Sequence, residues 1–155
     1  MFKSICDRIK KPASPGTLGI LTNPEHALFK DFPTDFHTNW QWYPIIKNSY
    51  PLILDNMPEE YRPIVQVIDN VERNHKLGLV FELNVGGGKL LVCMADLETA
   101  RNTPEGLQFY ASLLEYMNSP EFKPAISVST ESLKNLFVAG VQKEGIKVLD
   151  NISYD

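Results

Sequence analysis

Ile64-Val65-Gln66-Val67-Ile68-Asp69-Asn70-Val71, Leu77-Gly78-Leu79-Val80-Phe81-Glu82-Leu83-Asn84-Val85 and Lys89-Leu90-Leu91-Val92-Cys93-Met94-Ala95 follow one another almost without pause. Each run is short, apolar and rich in β-branched residues, which suits strands better than helices. The connectors, Glu72-Arg73-Asn74-His75 and Gly86-Gly87-Gly88, are too short for a parallel crossover. An antiparallel meander over residues 64–95 follows, with glycine supplying the positive φ that a tight hairpin turn needs.

Working outward, Pro51-Leu52-Ile53-Leu54-Asp55 and Thr17-Leu18-Gly19-Ile20-Leu21 read as further strands. Phe36, Trp40 and Tyr43 are spaced by four and three, which predicts a helix capped by Thr34 or Asp35 with all three rings on one buried face. Thr103-Pro104 opens a second helix with a capping hydroxyl and a first-turn proline; its apolar face would be Leu107, Tyr110, Ala111, Leu114 and Met117. Asn118-Ser119-Pro120 closes it. Ser129 or Thr130 caps a last helix bearing Leu133, Leu136 and Phe137, with Glu131 in its first turn. Phe2, Ile5, Cys6 and Ile9 suggest a short amino-terminal helix ended by the prolines of residues 10–16, and Ile146-Lys147-Val148-Leu149 a closing edge strand. One α/β domain spans 1–155: a short helix over 1–11, a core over 12–122, and a helix and edge strand over 123–155.

The 155 residues suffice for one proper core without metal or disulfide staples. A net charge of −4 argues against non-specific binding to nucleic acid or anionic membrane. No apolar run reaches the roughly 20 residues that span a bilayer. Cys93 lies in an apolar run and reads as a buried, inert thiol. Nothing requires a bridge from it to Cys6, and the redox compartment stays open.

Gly86-Gly87-Gly88-Lys89 resembles a phosphate loop only superficially. Leu83 stands where a Walker loop needs its first glycine, and Leu90 where it needs a metal-binding hydroxyl. No nucleophile elbow is present. His26, His37 and His75 fit no zinc spacing, so no metal and no cofactor is expected, and surface or capping roles suit all three. Asp55, Asp69 and Asp96 each end an apolar run and are candidate acid/base groups for glycosidic chemistry, which needs two carboxyls about 5 to 9.5 Å apart. The alternating strand direction of a meander would, however, send successive ends to opposite edges. The densest unusual feature is aromatic: Phe29, Phe32, Phe36, Trp40, Trp42 and Tyr43, with His37, Asn39 and Gln41 interleaved. Rings beside hydrogen-bonding groups suit a sugar site, with Trp40, Trp42, His37, Asn39 and Gln41 as candidate ligand contacts; large aromatics also dominate cores. Trp42, off the expected buried face, is the residue expected to meet a partner.

Pro15-Gly16-Thr17-Leu18-Gly19-Ile20-Leu21, Phe32-Pro33-Thr34-Asp35-Phe36-His37-Thr38-Asn39-Trp40-Gln41-Trp42, Tyr61-Arg62-Pro63-Ile64-Val65-Gln66-Val67-Ile68-Asp69, Arg73-Asn74-His75-Lys76-Leu77-Gly78-Leu79-Val80-Phe81-Glu82 and Gly88-Lys89-Leu90-Leu91-Val92-Cys93 resemble, in order, the carboxy-terminal module of family-two glycoside hydrolases. These are β-galactosidase-like and sugar-binding-domain proteins of Bacteroidetes, and the similarity runs from about residue 12 to 122. The resemblance implies a flavodoxin-like, class-I glutamine-amidotransferase-like sandwich without that family's catalytic cysteine. It also implies that the hydrolytic acid and nucleophile sit in a separate barrel domain, so no catalytic residue carries over. Such a module has further strand and helix upstream of Met1, so the chain is expected to be incomplete at its amino terminus, with an edge or apolar patch there covered by association.

The function expected is therefore a non-catalytic accessory module of a glycoside hydrolase, serving structure, oligomerisation or weak carbohydrate contact. Its partners would be carbohydrate or a catalytic glycosidase domain, with a homo-oligomer as a further expectation. The alternatives are a stand-alone carbohydrate-binding protein using residues 36–43 and a small glycosidase using the strand-end aspartates. By resemblance the location would be the periplasm or cell surface.

Overall fold

The computed structural model describes residues 17–139. The helix expected over 2–10, the loop over 10–16, Cys6 and the edge strand expected over 146–149 lie outside the described residues. Within them, β1 (Gly19–Thr22), β2 (Leu52–Ile53), β3 (Val65–Ile68), β4 (Lys76–Val85), β5 (Gly88–Cys93) and β6 (Ser127–Val128) make one sheet. Four helices accompany it: α1 (Tyr43–Ile46), α2 (Leu97–Ala100), α3 (Pro104–Asn118) and α4 (Thr130–Ala139).

The meander is present as the apolar runs predict, β3 to β4 to β5, each pair antiparallel. Gly86 (φ +56°) and Gly87 (φ +84°) make the tight turn between Val85 and Gly88, a conformation that side-chain-bearing residues resist. The sheet order is β1-β3-β4-β2, with β5 and β6 also paired to β4. Tyr50 N donates to Met94 O at 3.0 Å, so β2 and β5 succeed one another along one edge of the ten-residue β4. A register shift opposite Val65 and Gln66 leaves Leu79 without a partner in β3. Among the described strands only β4 and β6 run parallel. The chain is thus mixed α/β with a mostly antiparallel open sheet among the described residues.

Both faces of the sheet are covered, which is why β4 reads as a nearly continuous apolar run. On one face Leu77, Leu79 and Val80 meet Phe109, Leu113 and Tyr116 of α3 and the rings of Phe29, Phe32 and Trp42. Phe32, Trp42 and Phe109 pack edge to face with centroids 5.1–5.3 Å apart, each pair adding about 0.5–1.5 kcal/mol beyond its area. On the other face Phe81 and Leu83 meet Leu52, Leu54, Met57 and Leu136 of α4. Gly78 is needed there, because a Cβ would run into Leu54 and Phe81.

α3 begins and ends where the sequence predicts. Thr103 Oγ1 accepts from Gly106 N at 3.2 Å, and Ser119 follows the last turn. Its buried face is different: Phe109, Ser112, Leu113 and Tyr116 point inward, while Leu107, Leu114 and Met117 stay exposed. The helix is apolar on two sides, and the aromatic side wins because the 27–42 segment supplies rings to meet it. α4 is capped as expected, Ser129 Oγ accepting from Ser132 N at 3.0 Å.

Candidate functional site

The aromatic segment departs most from its sequence reading. No helix runs from Thr34 to Tyr43. Pro33 and the cap candidates instead hold an extended stretch against β1, with Thr22 N donating to Phe36 O at 3.1 Å and Leu21 bridging His37. Thr34 Oγ1 accepts from Trp42 Nε1 at 2.7 Å, and Asp35 Oδ2 from Asn39 Nδ2 at 3.0 Å. The groups that would cap a helix are thereby used to fold a loop. A 3-10 turn at Trp40–Trp42 then leads into α1.

The burial pattern is consequently inverted. Trp42, expected at the surface, is 0% exposed, while Trp40, expected inside, is 87% exposed. Phe36 and Tyr43 are exposed with it. The Trp40 and Tyr43 rings lie 6.2 Å apart at 61°, flanking a shallow depression completed by Thr38, Asn39 and Ile46. Lys47 Nζ sits 6.0 Å from the Tyr43 ring centre. Asn39 Oδ1 is buried without a hydrogen-bond partner. His37 Nδ1 pairs with Thr38 O at 2.9 Å, and Gln41 Nε2 donates to Pro33 O at 2.8 Å. Of the five candidates, Trp40, His37 and Asn39 thus flank or face the surface, Gln41 braces the loop and Trp42 belongs to the core.

The strand-end aspartates also depart from expectation. β2 and β3 both run antiparallel to β4, so their ends share one edge rather than opposite ones. Asp55 and Asp69 converge there on the turn entering β4. Asp69, with its side chain 1% exposed, accepts from Arg73 Nη2 at 2.7 Å, Asn70 N at 2.9 Å and His75 N at 3.1 Å. Burial raises its pKa, but the Arg73 guanidinium and those backbone N–H groups outweigh burial and hold it below the usual carboxylate value. Asp55 accepts from Lys76 N at 2.8 Å and pairs with His75 Nδ1 at 2.7 Å. Asp96 stands apart as the cap of α2, accepting from Thr99 N at 3.1 Å; bonds from the Thr99 side chain and backbone lower its pKa. All three carboxyls therefore anchor backbone.

Cys93 packs against the core, and burial pushes its thiol up to about 11, so it is inert at neutral pH. Among the described residues no three His, Cys, Asp or Glu side chains gather as metal ligands. Sequence reading missed a polar group inside the fold. Glu82 of β4 accepts from Tyr116 Oη at 2.6 Å through its side chain and from Tyr61 Oη at 2.9 Å through its carbonyl. The His26 ring lies 5.2 Å from that of Tyr116, and its Nδ1 accepts from Leu28 N as a turn cap. The available signal was a lone acid in the apolar run Leu77–Leu83.

The model of the family described as Domain of unknown function (DUF8487) matches residues 1–138, which takes in every described strand and nearly all of α4. The chain belongs to that family. No curated protein matches it. This DUF8487 domain is a sheet organised on one long strand, with an aromatic loop laid along the β1 edge and a helix on the face behind it.

Proposed function

We propose that this DUF8487 domain is a non-catalytic accessory module of a carbohydrate-active enzyme that touches saccharide through Trp40 and Tyr43. The exposure of Trp40 carries the reading: an indole 87% open to water forfeits most of the burial that would stabilise it, and stacking on a pyranose C–H face would recover that. The ordered strings around residues 15–42 and 61–93, which resemble the end module of family-two glycoside hydrolases, support the same reading. The relation to a glutamine-amidotransferase-like sandwich, and a periplasmic or surface location, belong to this proposal.

Two tryptophans in opposite environments make the test direct. Titration with a panel of oligosaccharides should give a saturable fluorescence change that disappears in Trp40→Ala, with Trp42 emission untouched. A change that survives in Trp40→Ala, or no change with any saccharide, overturns saccharide contact at this surface. The exposed Leu107, Leu114 and Met117 on α3 favour a second reading, in which the module braces a larger assembly through that helix.

A further inference from the structure

β4 has an interruption along one edge. β3 leaves it at Val80 and β6 joins it at Asn84, so among the described residues the stretch between has no strand beside it there. The Glu82 carbonyl in the gap is satisfied by a side chain, the Tyr61 hydroxyl, rather than by a neighbouring strand. The gap is the floor of a cavity of about 370 Å³ walled by residues 60–64, His26 and Ala125-Ile126. That volume lies within the ~300–1,000 Å³ range of small-molecule sites.

The chemistry of the walls is mixed. Pro63, Ile64 and Ile126 present carbon, while Glu82, His26 and Arg62 present polar groups. Glu82 Oε2 takes the Tyr116 hydroxyl, so the carboxyl is fixed in orientation. His26 Nδ1 accepts from Leu28 N, which puts the ring proton on Nε2 and makes that atom a donor. Burial lowers the His26 pKa and Glu82 opposes this only in part, which favours the neutral ring. Arg62 Nη1 is pinned by the carbonyls of Glu59 at 2.6 Å and Tyr61 at 3.2 Å, which fixes the guanidinium.

We propose that this notch binds a small neutral ring polyol, a single hexose or cyclitol. An anion would meet Glu60 and Glu82, and a cation would meet Arg62. A hydroxyl group can donate to Glu82 and accept from His26 at once, and a ring's C–H face suits the Pro63–Ile64 wall. The notch shares no lining residue with the depression beside Trp40, so the two sites stand or fall separately.

The test is a titration of the ¹⁵N-labelled full chain with glucose, galactose and myo-inositol. A ligand of about a dozen heavy atoms should bind in the millimolar range. Saturable shifts are expected at the amides of Arg62, Glu82 and Ile126, whether or not the Trp40 indole N–H also moves. Glu82→Gln keeps an acceptor for Tyr116, and His26→Asn keeps the cap while removing the Nε2 donor. Each should weaken binding about tenfold or more. Notch amides silent to about 50 mM of all three polyols, or both variants binding like the parent, would overturn the proposal. Shifts confined to Trp40 would overturn it while leaving the saccharide-contact reading intact.

Discussion

At Gly106 one methyl group separates a folded helix start from a steric overlap, since a Cβ there would run into the carbonyl of Ala100. Backbone is on the receiving side, so the neighbour cannot turn away as a side chain would. Gly106→Ala should cost about 3 kcal/mol and lower Tm by roughly 6–12 °C in a scanning calorimeter. Gly87→Ala meets no atom within 4 Å, only a positive φ, and should cost about 1 kcal/mol. Asp69 carries the acid response. Its folded pKa lies below the unfolded value of about 3.9, so its stabilisation is present above that pH and is lost as pH falls through the folded value. Urea midpoints should therefore drop in that acid window. Asp69→Asn should flatten that drop and cost about 3 kcal/mol at pH 7 by removing the buried carboxylate that accepts from Arg73 and from the Asn70 and His75 backbone.

The elements show what apolar spacing conveys and what it omits. For α3, Thr103-Pro104 and Asn118-Ser119 marked both ends, because caps are local chemistry. Which of its two apolar sides turns inward depends on Phe32 and Trp42, some seventy residues away in sequence, and no spacing within the helix records that. Phe109→Ala should cost about 3–5 kcal/mol by chemical denaturation, whereas Leu114→Gln should stay within about 0.5 kcal/mol. The 34–43 stretch misled for a related reason. Phe36, Trp40 and Tyr43 recur at helical intervals, yet a hydrogen bond from Thr22 N of β1 to Phe36 O, and bonds among Thr34, Asp35, Asn39 and Trp42, set the conformation instead. The interval fell on exposed rings by coincidence of loop geometry.

Across the whole molecule, the antiparallel meander was legible because short connectors leave two apolar runs only one way to pair. The candidate sites were less so. Asp55 and Asp69 could be seen as strand ends, but their meeting at one edge depends on β2 lying beside β4, a pairing over more than twenty residues. The cavity at Glu82 depends on the spacing between β3 and β6, which is a property of the sheet and not of any segment. Among the described strands β4 pairs with four of the other five, while β1 pairs with β3 and otherwise only with the 36–38 stretch of the aromatic loop. That inequality sets an order of opening. β1 can detach while the rest holds, but nothing survives the loss of β4. In heavy water, amides of Leu77 to Leu83 should exchange last and converge on one free energy under mild denaturant. Those of Gly19 to Thr22 should exchange sooner, uncovering the aromatic loop with them, so the surface bearing Trp40 would be remodelled by a motion that leaves the sheet's centre intact.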